Sequence, residues 1–223
     1  VSDTSIVPVE QEHSFTTRVG DIVARKVRNL QRGALANESA SVAALARLRR
    51  AAGKPPGAVP DVLQYTLDPE FAPPGCGDET TPAEHAAHLA LTFYALHQQA
   101  VPAGMHREGR EFRLGKSARR LAPGELTTPP HPAVRRFQAL LTSTSFTELT
   151  HHSRSLIQQL RGARVPLDYG LLAQDLLRWQ YPHRVEQVRL AWGRDYFVRA
   201  PKPDTIETAS ASSPDPLPTE DKY

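Results

Sequence analysis

Residues 81–98 read TPAEHAAHLALTFYALHQ, and the reading of that stretch decides the fold class. Thr81-Pro82-Ala83-Glu84 has the form of a capping box. Threonine supplies the N-cap hydroxyl, proline takes the first helical position, and the Glu84 carboxylate reaches back to the cap. Leu89, Phe93 and Leu96 then recur at helical spacing and predict one buried stripe. The same period governs nearly every other apolar segment. Val19, Ile22, Val23, Val27 and Leu30 mark a helix upstream, with Arg18, Arg25, Arg28 and Arg32 on its other faces. A second helix is expected over Ser41–Ala52, anchored by Leu45 and Leu48 and stopped by Gly53 and Pro55-Pro56.

Residues 53–80 are proline-rich and read as loop, with one short helix around Asp61–Tyr65. Residues 100–130 are polar and irregular, with a short helix expected over Lys116–Leu121. His131-Pro132 opens a helix whose Val134, Phe137, Leu140 and Leu141 face inward. Ser145-Phe-Thr-Glu148 is a second capping box, followed by Leu149, Leu156, Ile157 and Leu160. Asp168 caps a helix bearing Leu171, Leu172, Leu176 and Trp179. Pro182 starts the last helix, with Val185, Val188, Trp192 and Tyr196 at its core positions. No alternating strand pattern and no internal repeat is present. The expected fold is all-α, a compact bundle of seven to nine helices, as one domain or as two small helical subdomains sharing a core.

The cations are lopsided, with 22 arginines against 5 lysines. Arginine presents a planar fork of donors that matches phosphate oxygens in pairs, although a GC-rich genome gives the same bias for no functional reason. Residues 201–223 carry Lys202 and Lys222 against Asp204, Glu207, Asp215, Glu220 and Asp221. That acidic Pro/Ser/Thr-rich tail is expected to be disordered. The overall charge is +3, so residues 1–200 hold a net +6. A flexible segment is expected over 1–15 and a helical domain over 16–200. Cys76 is the single cysteine, which excludes an internal disulfide and a CxxC zinc site. No run of about 18 apolar residues and no secretory pattern is present, so a cytoplasmic location without membrane contact is expected.

Catalytic chemistry finds no support in the residues. His85 and His88, and His151-His152, lack the HExxH context or a carboxylate at matching spacing, so no metal is expected. Walker and GxGxxG loops and a nucleophile elbow are absent, and no cofactor is implied. Glu84, Glu148 and Asp168 are occupied as caps. The basic groups carry more. Arg47, Arg49, Arg50 and Lys54 crowd a helix C-terminus, where cations also answer the helix dipole. Arg135 and Arg136 are expected in a first turn, where that dipole opposes them, which suggests an anionic partner. Lys116, Arg119 and Arg120 form a third group. Arg154, Arg161, Arg164, Arg184 and Arg189 are single helical positions.

The order Arg135-Arg136-Phe137-Gln138, Leu167-Asp168-Tyr169-Gly170-Leu171-Leu172 and Leu177-Arg178-Trp179 resembles CasB, the small subunit of the type I-E CRISPR interference complex, Cascade. Leu114-Gly115-Lys116 and Leu48-Arg49-Arg50 are similar to further motifs of that family, over roughly Ser41–Val198. The resemblance implies a non-catalytic, all-helical protein of antiviral defence, present in two copies. It implies contacts with crRNA, target DNA, the CasC backbone and other Cascade subunits. Its RNA- and DNA-binding role there is to hold an R-loop open along the guide–target duplex and the single-stranded non-target strand. By position it implicates Arg49, Arg50, Lys116, Arg135, Arg136, Arg154 and Arg184; Lys54 and Arg119 join them as members of the basic groups. This chain departs from the family in Thr142 and Ser145, where others can be basic, and in extra residues between Ile157 and Leu167. The alternative from the residues alone is a free helical DNA-binding regulator, which would need a compact helix–turn–helix with a glycine turn.

Overall fold

In the computed structural model, which describes residues 9–122 and 131–198, the stretch that opens at Thr81 becomes the central helix of the molecule. Nine α-helices occur among the described residues: α1 (Val9–Leu35), α2 (Ser39–Ala51), α3 (Leu63–Thr66), α4 (Pro82–Gln98), α5 (Leu114–Arg119), α6 (Pro132–Leu141), α7 (Phe146–Gly162), α8 (Tyr169–Trp179) and α9 (Val185–Phe197). The Thr81 box is complete: Glu84 N–H donates to Thr81 Oγ1 at 3.1 Å, and Thr81 N–H donates to Glu84 Oε2 at 2.9 Å. Thr81 Oγ1 also donates to the Phe71 carbonyl at 2.7 Å, tying the loop to the helix start.

α4 is buried on all sides rather than along one stripe. Ala86, Ala87, Ala90, Leu91, Tyr94 and Ala95 are as inaccessible as Leu89 and Phe93. The reason is that α1, α2, α7 and α8 all pack on it, and its alanines let their backbones approach. α1 lies most extensively against α8. Their crossing is close enough that a Cβ on Gly170 would sit 2.9 Å from the Gly20 carbonyl oxygen. Among the described residues the buried apolar side chains of all these helices form one cluster. An isolated bridge between His106 and Leu167 is the only β-type pairing among the described residues.

Several boundaries differ from the sequence expectation. α1 begins at Val9, inside the segment 1–15 expected to be flexible; residues 1–8 lie outside the described residues, as do 199–223 with the expected acidic tail. Polar residues dominate its first turns, which hid the helix from periodicity, but Phe15 packs on the core and Glu12 is ion-paired. α5 starts two residues early, at Leu114, after a 3-10 turn over Arg110–Phe112. Another 3-10 turn, Pro182–Arg184, delays α9 to Val185. The second capping box is half formed. Ser145 Oγ accepts from Glu148 N–H at 3.1 Å, while the Glu148 carboxylate accepts from Thr144 N–H at 2.7 Å instead of returning to Ser145. Asp168 caps α8 as expected, accepting from Gly170 and Leu171 N–H at 2.9 and 3.0 Å. No helix among the described residues is long and apolar enough to cross a membrane.

Candidate nucleic-acid interface

α5 reaches α9 because residue 115 is glycine. A Cβ there would lie 2.4 Å from the Trp192 carbonyl oxygen. With Leu114, Ser117 and Ala118 buried against the body, Lys116 and Arg120 are left exposed. Arg119 is half-buried, donates to the Ala122 carbonyl and stands 6.0 Å from the centre of the Tyr196 ring. Tyr196 in turn stacks on Phe137 of α6, centroids 4.3 Å apart. Val134, Phe137 and Leu140 hold α6 down, so Arg135 and Arg136 project to solvent. α5, with Lys116, Arg119 and Arg120, and α6, with Arg135 and Arg136, thus both pack on α9, and Arg119 and Phe137 meet at the Tyr196 ring.

The helix dipole opposes the α6 pair less than the sequence predicts. His131 is the N-cap, its Nδ1 accepting from Ala133 N–H, and Pro132 is the first helical residue. Arg135 and Arg136 are the fourth and fifth, and Arg135 N–H already donates to the His131 carbonyl at 3.4 Å. They stand beyond the unpaired N–H groups, where the opposing field has largely faded. With the Gln159 amide turned so that its oxygen faces Arg136, that oxygen accepts from Nε at 2.9 Å and from Nη1 at 3.2 Å. Arg136 is thus oriented by α7, and Arg135 makes no ion pair among the described residues.

Arg107 and Arg110 escaped sequence reasoning. Arg107 places its guanidinium over the Phe112 ring at 4.8 Å from the centre, and Arg120 does the same at 4.9 Å. Arg110 is exposed beside them in the chain. The overlooked signal is a cation at every third position, Arg107, Arg110, Arg113, Lys116 and Arg119. Of these, Arg113 turns inward, where Nε and Nη2 meet Asp175 at 3.0 and 2.6 Å and Trp192 Nε1 donates to the same carboxylate at 2.7 Å. Arg110 and Lys116 are close enough to stabilise the Asp195 carboxylate. Its pKa nonetheless rises because burial outweighs them and Arg113.

The other expected groups lie elsewhere. Arg49 and Arg50 occupy the last turn of α2, with Lys54 exposed just beyond. Arg50 pairs with Asp61 at 3.3 Å, a contact between two exposed side chains that contributes little. Arg49 is half-buried and makes no ion pair among the described residues. Arg154 of α7 donates to the Ala52 carbonyl at 2.8 Å and so caps α2. Arg184 grips Glu12 through Nη2 at 2.9 Å and Nε at 3.3 Å, and its hydrogen bond holds the Glu12 carboxyl below the ordinary range. Both of these guanidiniums are engaged by the protein itself. α7 links the two ends, with Arg154 at the close of α2 and Gln159 at Arg136.

Three histidines of α4 are packed against other parts of the fold. His85 meets the Phe146 ring edge-on at 4.7 Å, and His88 is buried with Nε2 3.1 Å from the Lys54 carbonyl. His97 is buried against the Tyr169 hydroxyl at 2.9 Å. Among the described residues no three His, Cys, Asp or Glu come together to hold an ion.

A family model described as CRISPR-associated protein Cse2 matches residues 44–197. The CRISPR-associated protein Cse2 of Thermus thermophilus is 31% identical over 163 residues, which are 73% of this chain and 83% of that protein. The crystal structure of CasB from Thermobifida fusca is similar with a TM-score of 0.67 and 36% identity, covering 80% of this chain and 97% of that one. CasB from Thermus thermophilus gives 0.57 and 28%, with the same coverage.

Proposed function

Because the chain belongs to the CRISPR-associated Cse2 family, we propose that it is a non-catalytic subunit of Cascade that binds nucleic acid through the α5–α6 corner. The observation that carries this reading is a set of exposed cations, Arg107, Arg110, Lys116 and Arg120 around α5 and Arg135 on α6, that make no ion pair among the described residues. In water such a group repels itself, and a phosphate backbone relieves it. Two of its guanidiniums are held over Phe112 and so lose little freedom on binding.

Target recognition by a guide RNA exchanges one duplex for another of similar stability, so modest contacts to a backbone tip it. Contacts along the displaced strand slow its return without reading its sequence. In this reading crRNA and target DNA meet the α5–α6 corner, while Arg50 and Lys54 offer a separate basic site at the end of α2. Arg154 and Arg184 contribute through the fold. CasC subunits, other Cascade subunits and a second copy of the chain are the protein partners, in the cytoplasm.

The test is binding of single-stranded DNA as a function of salt. Arg135→Ala with Arg136→Ala is expected to weaken binding and to reduce the salt slope by roughly 0.7 for every phosphate no longer neutralised, with the melting temperature retained. Arg154→Ala with Arg184→Ala should lower the melting temperature and leave the slope alone. An unchanged affinity and slope in the α6 variant would remove that pair from the interface. Strong preference for one duplex sequence would point to a regulator instead.

A further inference from the structure

A groove of about 470 Å³ runs between the end of α1, the outer side of α2 and the turn after α4. Leu35, Val42, Leu45 and Pro102 are among its walls. Leu35 and Val42 are 47% and 44% exposed, so two large aliphatic side chains are left in water along one trough. Ala100 in the same lining holds a φ of 56°, which alanine adopts only when the surroundings impose it.

Arg49 also lines this groove. Its neighbours on α2 are satisfied, Arg47 by the Tyr65 hydroxyl at 3.0 Å and Arg50 by Asp61. Arg49 alone of the three is half-buried with no side-chain partner among the described residues. A partly desolvated guanidinium beside aliphatic walls is complementary to a carboxylate carried next to an apolar side chain. That pairing is what an amphipathic helix offers on one face, at positions three or four apart. Nucleic acid fits less well. The lining holds no aromatic ring on which a base could stack, and a phosphate entering the groove would lose water against mostly aliphatic walls.

We propose that this groove docks a helical segment of another protein subunit, with an aliphatic side chain between Leu35 and Val42 and a carboxylate on Arg49. Arg49 is thereby assigned to a protein contact, separate from the phosphate-binding corner. The inference rests on the reading of the chain as a Cascade subunit, and its test separates the two.

Full-length chain carrying Val42→Gln, Arg49→Met or Arg49→Lys is mixed with a crRNA-loaded CasC assembly, and co-elution is titrated. Single-stranded DNA binding by the free chain is measured in parallel. Val42→Gln and Arg49→Met are expected to weaken co-elution about tenfold, and Arg49→Lys to retain most of it, because loss of a desolvated charge pair acts on dissociation. The DNA salt slope should stay unchanged in all three. Both positions border the open groove, so melting temperatures should hold; should Val42→Gln misfold, Arg49→Met carries the test. Undiminished co-elution overturns the proposal. So does a salt slope that falls with Arg49→Met, which would place a phosphate there, or a free dimer that Val42→Gln dissociates, which would make a second copy the occupant. Wild-type chain that binds DNA without joining the assembly overturns the docking site and spares the phosphate corner. Co-elution sensitive to Val42 and Arg49 in a chain that ignores DNA does the reverse.

Discussion

Asp175 is almost wholly buried in α8 and serves three partners at once: the Arg113 fork, Trp192 Nε1 and, at 3.7 Å, Arg178. Through it the segment before α5 and the helix α9 are fastened to α8. Asp175→Ala should destabilise the protein by about 3 kcal/mol, since Arg113 is left desolvated and the Trp192 N–H unpaired. Urea unfolding measures this, and a destabilisation below about 1 kcal/mol would show the network to be idle. Single-residue roles were legible where they are local. The Asp168 cap acts two and three residues downstream, and the sequence displays it. Asp175 sits in an apolar helical pattern with its partner 62 residues away, and nothing in the period betrays it. The engagement of Arg184 is hidden for the same reason, its acceptor Glu12 lying 172 residues upstream. Sequence identifies a cation; whether it is spent inside the molecule depends on contacts that only folding creates.

At the scale of elements, α5 illustrates a helix that its own residues do not secure. Six residues long, it gains little from propensity and persists through its seat on α9. Gly115→Ala would drive a methyl group into the Trp192 backbone and should cost about 1–3 kcal/mol, read as a lower melting temperature. Because Lys116 and Arg120 ride on this helix, the same variant should weaken single-stranded DNA binding, and Ala at the solvent-facing Gly162 should do neither. The starts of capped helices such as α4 and α7 were readable to the residue. Others were displaced: the 3-10 turn Pro182–Arg184 takes up residues assigned to α9, and α5, too short to show a period, begins two residues early. The α4 stripe was underestimated for a different reason. Alanines look neutral in a pattern, yet here they are the points where four neighbours press in.

Across the whole molecule, His85, His88, His97 and His106 share one tendency: burial holds each of them below the usual histidine pKa, His97 at about 4. Tyr169 N–H donates to His106 Nδ1, which requires that nitrogen to be unprotonated. A depressed value means that the unfolded chain takes up protons which the native state refuses. Stability is therefore complete above about pH 6.5 and declines as pH falls toward 4, with His97 alone contributing up to about 3 kcal/mol of that decline. Melting temperatures between pH 7 and 5 should fall, and His97→Gln should flatten the dependence; a flat profile in the wild type would contradict it. The fold class was legible because helical period survives at this scale, whereas the interface was half legible, in its cations but not in their availability. α1 adds a last point. Its Val19, Ile22, Val23 and Val27 lie in the common core, yet the family match begins only at residue 44. The span of the family model is therefore not a unit that could stand by itself, because the core it packs is completed from upstream of it. A fragment trimmed to residues 44–197 would bare the flank of α8, the kind of sticky surface that chaperones hold and proteases clear.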